Sequence, residues 1–342
     1  MRLIWYQCLL YSSILLNHSD PNSPVMKRFD CAVVGEICID LPVRPLPIAR
    51  PLSEFILAPV DSIQPQGGGI VANSGIALAK LGVRSAALGL VGDDNWADII
   101  ESLFDEYGVD REHVIRHSSE GTSTTAVLVA SGGEHCFAYY AGASRTLNAT
   151  TIADHLDLFR ESRFALLGYY ALLPKLEPEL PSVLEMIAET GCQVALDTAG
   201  GGGSLEPLCD ALPLLDFYIP SYDEGVMQTG EREPARMLAT YRSFTEKTVL
   251  GLKMGSEGAV LCPRGDQLIQ IPPVRPPGDV VDTTGAGDCF YAGLIAGLCR
   301  GLSVENAARL GAATGACCTT QVGAIAGVRS YDETMALAQQ RD

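Results

Sequence analysis

Asp282-Thr283-Thr284-Gly285-Ala286-Gly287-Asp288 joins a bare Gly-Ala-Gly turn to a carboxylate at the mouth of a helix. In the residues that follow, Phe290, Leu294 and Leu298 recur at every fourth position and Ile295 widens the stripe, which predicts a helix beginning at or near Gly287. The first turn of such a helix has N–H groups without partners inside the helix, and the positive end of its dipole points the same way. An anion can therefore sit there held by backbone alone. Gly285, Ala286 and Gly287 keep side chains out of the way. Asp288 is electrostatically costly beside an anion unless a metal and positive dipoles offset its charge. Taking the proton from an attacking hydroxyl is a role that would account for it. A glycine-rich turn with Asp as a helix cap fits the same seven residues.

Composition narrows the classes. The 342 residues suffice for one large or two modest domains, and 47% hydrophobic residues supply a core. A formal charge of −17, from 41 acidic against 24 basic side chains, argues against nucleic acid or an anionic membrane as partner, while leaving a small anion open. The eleven cysteines are odd in number, follow no framework and contain no CxxC pair, so they read as reduced thiols of a cytoplasmic protein. No run of 18 apolar residues predicts a membrane span. Residues 1–25 resemble a weak signal peptide without a clean cleavage site. Met26 reads as the physiological start, which makes the first 25 residues a disordered tail or a mis-assigned start.

Upstream of the heptapeptide, the near-continuous apolar run Cys31 to Asp40 predicts a strand from Asp30 to Asp40, buried on both faces of a parallel sheet. Asp40 lies at its exit, where open α/β sheets place ligands; a sugar-binding carboxylate and a turn Asp are both open readings. Prolines at 42, 45, 47, 51, 59 and 65 mark an excursion from the sheet, with a short strand expected around Phe55 to Leu57. Gly67-Gly68-Gly69 then opens a small-residue helix closed by Gly82. No Lys-Ser/Thr follows, so this is not a Walker A loop; the amides of Gly67 and Gly68, with Asn73, suit hydroxyl recognition. Thr122 to Ala130 and Glu134 to Ala141 read as a hairpin with Tyr139 and Tyr140 on opposite faces, one to cover a ligand and one to pack.

From Ala149 a βα rhythm resumes. It predicts a helix over 151–160, a strand over Phe164 to Gly168, a helix over 178–190 and a strand over Gln193 to Asp197. The glycine run 200–203 reads as a mobile loop near the site. Phe217 to Pro220 is a short strand before a helix opened by Ser221. Thr248 to Lys253 and the turn Met254 to Gly258 lead into paired strands Ala259 to Cys262 and Leu268 to Ile271, and Val304 to Cys318 is a late small-residue helix.

Four of these stretches in this order, Gly35 to Asp40, Gly67-Gly68 with Asn73, Lys253 to Gly258 and Asp282 to Asp288, resemble the ribokinase-like (PfkB) family of carbohydrate kinases over about residues 30 to 335. The resemblance implies a Rossmann-like three-layer α/β/α domain over 26–342, with a parallel sheet of eight or nine strands. A small β-sheet lid would come from about 43–66 and 121–145, and since such lids often pair between subunits, a homodimer is expected. It also implies an enzyme that moves the γ-phosphate of ATP, with Mg²⁺, to a hydroxyl of a small carbohydrate. Asp288 would be the base and Gly285, Ala286 and Gly287 the anion hole. Asp40, Gly67, Gly68, Asn73 and Tyr139 would hold the acceptor, and Lys253, Gly255, Gly258 and Thr284 would lie along the nucleotide. Glu224 matches the acidic end of the family's Asn-x-x-Glu motif, acting on Mg²⁺ through water, with Ser221 in place of the Asn. Asp282 stands where some members hold K⁺. The family also takes sugar acids, sugar phosphates and nucleosides; Arg145 can pair with an acid sugar's carboxylate. A nucleoside kinase and a catalytically silent sugar-binding regulator are the alternatives.

Overall fold

The computed structural model describes residues 27–47, 57–130, 135–199, 202–265 and 267–340. The readings made for residues 1–25, for Phe55 and Ile56, and for Gly200 and Gly201 lie outside these. Among the described residues thirteen strands form two sheets. In chain order they are β1 (Phe29–Gly35), β2 (Cys38–Leu46), β3 (Gln66–Gly68), β4 (Ser85–Gly92), β5 (Asp110–His117), β6 (Ser123–Ala130), β7 (His135–Tyr140), β8 (Ser162–Gly168), β9 (Gln193–Leu196), β10 (Phe217–Tyr218), β11 (Val249–Lys253), β12 (Ala259–Cys262) and β13 (Ile269–Ile271).

The large sheet has nine strands in the order β13-β12-β11-β10-β9-β8-β1-β4-β5. Its pairings from β5 through β11 are parallel, and β12 and β13 close one edge antiparallel. Consecutive residues of β1 point to opposite faces, as the pleat requires. Cys31 and Val33 enter a core with Ile70, Ile76, Phe290 and Leu294, whereas Ala32 and Val34 enter another with Leu158, Val183, Leu184 and Leu208. Burial on both faces explains why β1 and β4 read as apolar runs without alternation. The expected α/β/α layering is the observed architecture, with a second, four-stranded sheet ordered β3-β2-β6-β7.

The expected single strand from Asp30 to Asp40 is two strands in different sheets. It breaks at Gly35, whose φ is +140° and where a Cβ would stand 2.2 Å from the carbonyl oxygen of Gly168. Only glycine fits that approach, and the Glu36-Ile37 step then carries the chain into the second sheet. The second sheet thus draws on Cys38–Leu46 and Gln66–Gly68 as well as the predicted hairpin, which is present as β6 and β7. The helix expected over 151–160 is split at His155, with φ −119°, into Ala149–Asp154 and Leu156–Arg160.

Candidate active site

The parallel strands of the large sheet end on one side of it, and the exits of β1, β8, β9 and β11 bring Glu36, Tyr169, Asp197 and Lys253 to one rim. Two helices begin at the same rim, Gly69–Lys80 and Ala286–Cys299, each after a glycine that no side chain caps. They pack together along their length. Ser74 Oγ donates to the carbonyl of Asp288 at 3.1 Å, so the middle of the first helix is pinned to the first turn of the second.

Asp288 is 2% exposed. Its Oδ2 accepts two hydrogen bonds, from Asn73 Nδ2 and from the Tyr169 hydroxyl, each at 2.8 Å. Burial, with the nearby Asp197 carboxylate adding to it, pushes the Asp288 carboxyl up to about 7; the Asn73 and Tyr169 donors and the Lys253 ammonium act in the other direction. A carboxyl poised near neutrality is suited to accepting a proton.

Beside it, Gly285 takes φ +74° as the residue preceding the helix, and a Cβ there would lie 2.2 Å from Ala324 Cβ. A side chain at this position is excluded twice over, by conformation and by contact. A cavity of about 460 Å³ opens next to this turn, its lining including Lys253, Gly255 and Gly258 as well as Ala286, Gly287 and Phe290. Three of the four residues expected along the nucleotide and two of those expected around its phosphate therefore share one cavity. Thr284 and Asp288 do not line it.

Lys253 Nζ meets Asp197 Oδ1 at 3.0 Å and lies 5.0 Å from the centroid of the Tyr291 ring. Burial raises the Asp197 carboxyl, with Lys253 opposing it. Burial also works against the Lys253 ammonium, but the Asp197 and Glu224 carboxylates outweigh it and hold Lys253 above its ordinary value. The ammonium lies 3.1 Å from the point a Cβ on Gly287 would occupy, so it faces the anion turn directly.

Glu224 closes a capping box. Its Oε2 accepts from the N–H of Ser221 at 2.6 Å while Ser221 Oγ caps the Tyr222–Thr229 helix. Its Oε1 accepts from Ala199 N–H at 3.0 Å, which ties this helix to the segment after β9. Ser221, which stands where the motif has Asn, supplies the capping hydroxyl of this helix. Asp282 clamps two loops: Oδ1 accepts from Thr284 N–H and Oδ2 from Gly323 N–H, both at 2.9 Å. The Thr284 hydroxyl is buried without a partner.

On the other side of Asp288, β2 and β3 pair so that Ile39 faces Gly67 and Cys38 faces Gly68. The Asp40 carboxylate lies against Gly68, where a Cβ would come within 2.4 Å of it. Burial raises the Asp40 carboxyl, and Asp282 adds to this. Tyr139 on β7 is part-buried and Tyr140 is exposed, the opposite orientations that alternation called for. Arg145 is paired with Glu120 at 2.8 Å at the surface. Three site residues escaped the sequence reading in these roles. Asp197 reads from the sequence only as a strand end, and neither Tyr169 nor Glu36 is marked there as a neighbour of the base. The signal for each was position alone, the first residues past a parallel strand.

Residues 28–330 match the pfkB family of carbohydrate kinases. The chain belongs to that family. An uncharacterized sugar kinase of Archaeoglobus fulgidus is 30% identical over 268 residues, covering 75% of this chain and 99% of that protein. A ribokinase of Haemophilus influenzae is 26% identical over 277 residues, 78% of this chain and 86% of that protein. Among solved structures, Arabidopsis thaliana ribokinase complexed with ribose and ATP superimposes with a TM-score of 0.76 at 26% identity, over 92% of this chain and 99% of that one. As a pfkB carbohydrate kinase the chain is a phosphotransferase with a hydroxyl acceptor. Among the described residues no helix is long and apolar enough to cross a membrane.

Proposed function

We propose that this pfkB kinase transfers the γ-phosphate of ATP to a hydroxyl of a small carbohydrate, with Asp288 as the general base. The observation that carries the reading is the convergence of one buried carboxylate, raised to about 7, with the uncapped turn Gly285–Gly287 at the edge of a 460 Å³ cavity. Oδ2 is occupied by two donors, so Oδ1 is the oxygen available to the acceptor's proton. The acceptor oxygen bonds to the γ-phosphorus as its proton passes to Oδ1, and the bond from that phosphorus to the bridging oxygen of ADP breaks. Main-chain N–H groups of the turn and the Lys253 ammonium meet the charge on the equatorial oxygens. Gly255 and Gly258 flank the nucleotide, while Asp40, Gly67, Gly68, Asn73 and Tyr139 position the acceptor beneath the small sheet acting as lid.

The residues present fit Mg²⁺ in an indirect arrangement. Both Glu224 oxygens already accept main-chain N–H bonds, which leaves their remaining lone pairs for water. Bound there, the ion would neutralise phosphate charge. The partnerless Thr284 hydroxyl beside Asp282 fits a K⁺ site in the adjoining loops. The edge strand β7 exposes Phe137 and Tyr140, 53% and 50%, which supports pairing of two lids in a homodimer. Ten free cysteines among the described residues agree with a reducing, cytoplasmic setting.

The test is ADP release over a panel of sugars, sugar acids and nucleosides, comparing the natural protein with Asp288→Asn. Loss of the base should lower kcat by ~10²- to 10⁴-fold with little change in KM for ATP. Turnover within a few-fold of the natural protein removes Asp288 from the chemistry, and a natural protein inert on the whole panel favours the silent regulator.

A further inference from the structure

Glu36 follows Gly35 at the crossing from the large sheet to the small one, and its side chain is 2% exposed. Its main-chain carbonyl is employed, accepting from Val71 N–H at 3.2 Å at the start of the Gly69–Lys80 helix. Its carboxyl is not. Oε1 is buried without a hydrogen-bond partner, and so are Asn73 Oδ1 and the Tyr139 hydroxyl. Glu36 and Tyr139 face each other closely enough to perturb one another, yet neither of these two atoms completes a bond of sound geometry. The Glu36 carboxyl also lies within the electrostatic reach of Asp40, Asp288 and the Tyr169 hydroxyl. Its backbone stands at the crossing into the small sheet and is held to Val71, two residues before the Asn73 that bonds Asp288, so Glu36 lies between the base and the small sheet.

Buried polar groups left without partners are uncommon and expensive, and three in one space call for something that satisfies them together. All three accept, and the Tyr139 hydroxyl also donates, at sites the protein leaves open, which is the complement of a pair of hydroxyls. The charge of the surroundings restricts what can carry those hydroxyls. Glu36, Asp40 and Asp288 supply three carboxyls. The Lys253 ammonium pairs with Asp197 and faces the Gly287 turn on the phosphate side, and Arg145 pairs with Glu120. Arg44, whose Nη1 is also buried without a partner, stands on the same face of β2 as Asp40 but four residues further along, roughly 13 Å by strand rise. A carboxylate placed among these groups would be repelled and would itself lack a partner.

We infer that Glu36, with the Tyr139 hydroxyl and Asn73 Oδ1, is a specificity-determining element of the acceptor site that takes vicinal hydroxyls of an uncharged polyol and excludes a sugar acid. This rests on the kinase reading for the location of the acceptor, but its test does not depend on turnover. D-ribose, D-fructose and D-gluconate are titrated calorimetrically into the natural protein, Glu36→Gln and Tyr139→Phe without nucleotide. A neutral sugar should bind the natural protein, D-gluconate should bind at least about tenfold more weakly, and each substitution should weaken the neutral sugar by about tenfold or more. Thermal melts establish that each variant is folded, and Tyr139→Phe carries the test if Glu36→Gln is not. Neutral-sugar affinity within twofold of the natural protein in both folded variants overturns the inference, as does tighter binding of D-gluconate or binding of neither sugar. Sugar binding that depends on Glu36 without any phosphorylation would instead count against the kinase reading and leave this one standing.

Discussion

A base held at a pKa of about 7 makes the acid limb of the pH profile a direct report on Asp288. The ionised fraction of such a group falls from about nine-tenths at pH 8 to about one-tenth at pH 6. Because kcat/KM reports groups of the free enzyme, it should drop about tenfold over that interval when measured at subsaturating nucleotide. Glu36 also titrates near 7, again because it is buried, and the two carboxyls sense one another, so the limb needs assignment. Glu36→Gln should leave the limb in place, and Asp288→Asn should abolish it along with most of the rate. Tyr169→Phe removes a donor that holds the Asp288 carboxyl down, so the limb should move to higher pH while the alkaline plateau persists. A profile flat within twofold from pH 6 to 8, or a limb that Tyr169→Phe moves downward, refutes the assignment of Asp288 as base and the account of how its pKa is set.

Gly285→Ala forces a Cβ into Ala324 at φ +74°, so a melt should show a loss of about 1–3 kcal/mol and steady-state kinetics a kcat lowered by roughly 10²-fold as the turn shifts. Lys253→Met strands the buried Asp197 carboxylate. Urea unfolding should register a loss of about 3–5 kcal/mol, and the double variant with Asp197→Leu should recover most of it. Asp288→Asn should be more stable than the natural protein above pH 7. A carboxyl raised from an ordinary value near 4 to about 7 costs stability progressively as pH rises through that window and fully above it. The gain, of order a few kcal/mol, should disappear near pH 4, as melts at the two pH values would register.

What the sequence displayed and what it concealed divide along physical lines. The helix of Phe290, Leu294 and Leu298, the paired strands Ala259–Cys262 and Ile269–Ile271, and the helix Val304–Cys318 carry periodicity or turn chemistry within a short window. They were legible for that reason. β5 was not, because Asp110–His117 is a polar edge strand with no apolar run to announce it. The break at Gly35 was hidden inside a continuous apolar stretch, since its cause is the carbonyl of Gly168, more than a hundred residues away. Asp288, the Gly285–Gly287 turn and Lys253 belong to local motifs and were found. Tyr169, Asp197 and Glu36 act through partners brought by other strands, and no local pattern distinguishes them from strand ends.

The same division explains how so expensive a site is tolerated. Asp197, Asp288, Asp40 and Glu36 are carboxyls driven upward by burial, and the atoms left unpartnered on Glu36, Asn73, Tyr139 and Thr284 add unmade hydrogen bonds to that cost. Most of them lie at the carboxyl ends of strands or the starts of helices, with Asp40 early in β2 against the end of β3 and Asn73 in the second turn of its helix, while both apolar cores lie along the bodies of those elements. Packing and chemistry are thus segregated within each element. β1 stabilises the sheet through Cys31 to Val34 and spends nothing of that packing on Glu36, which comes after Gly35 has turned the chain. Substitutions at the rim should therefore change binding and rate while the cores stay intact, and ligands that satisfy the open polar atoms should stabilise the protein as they bind.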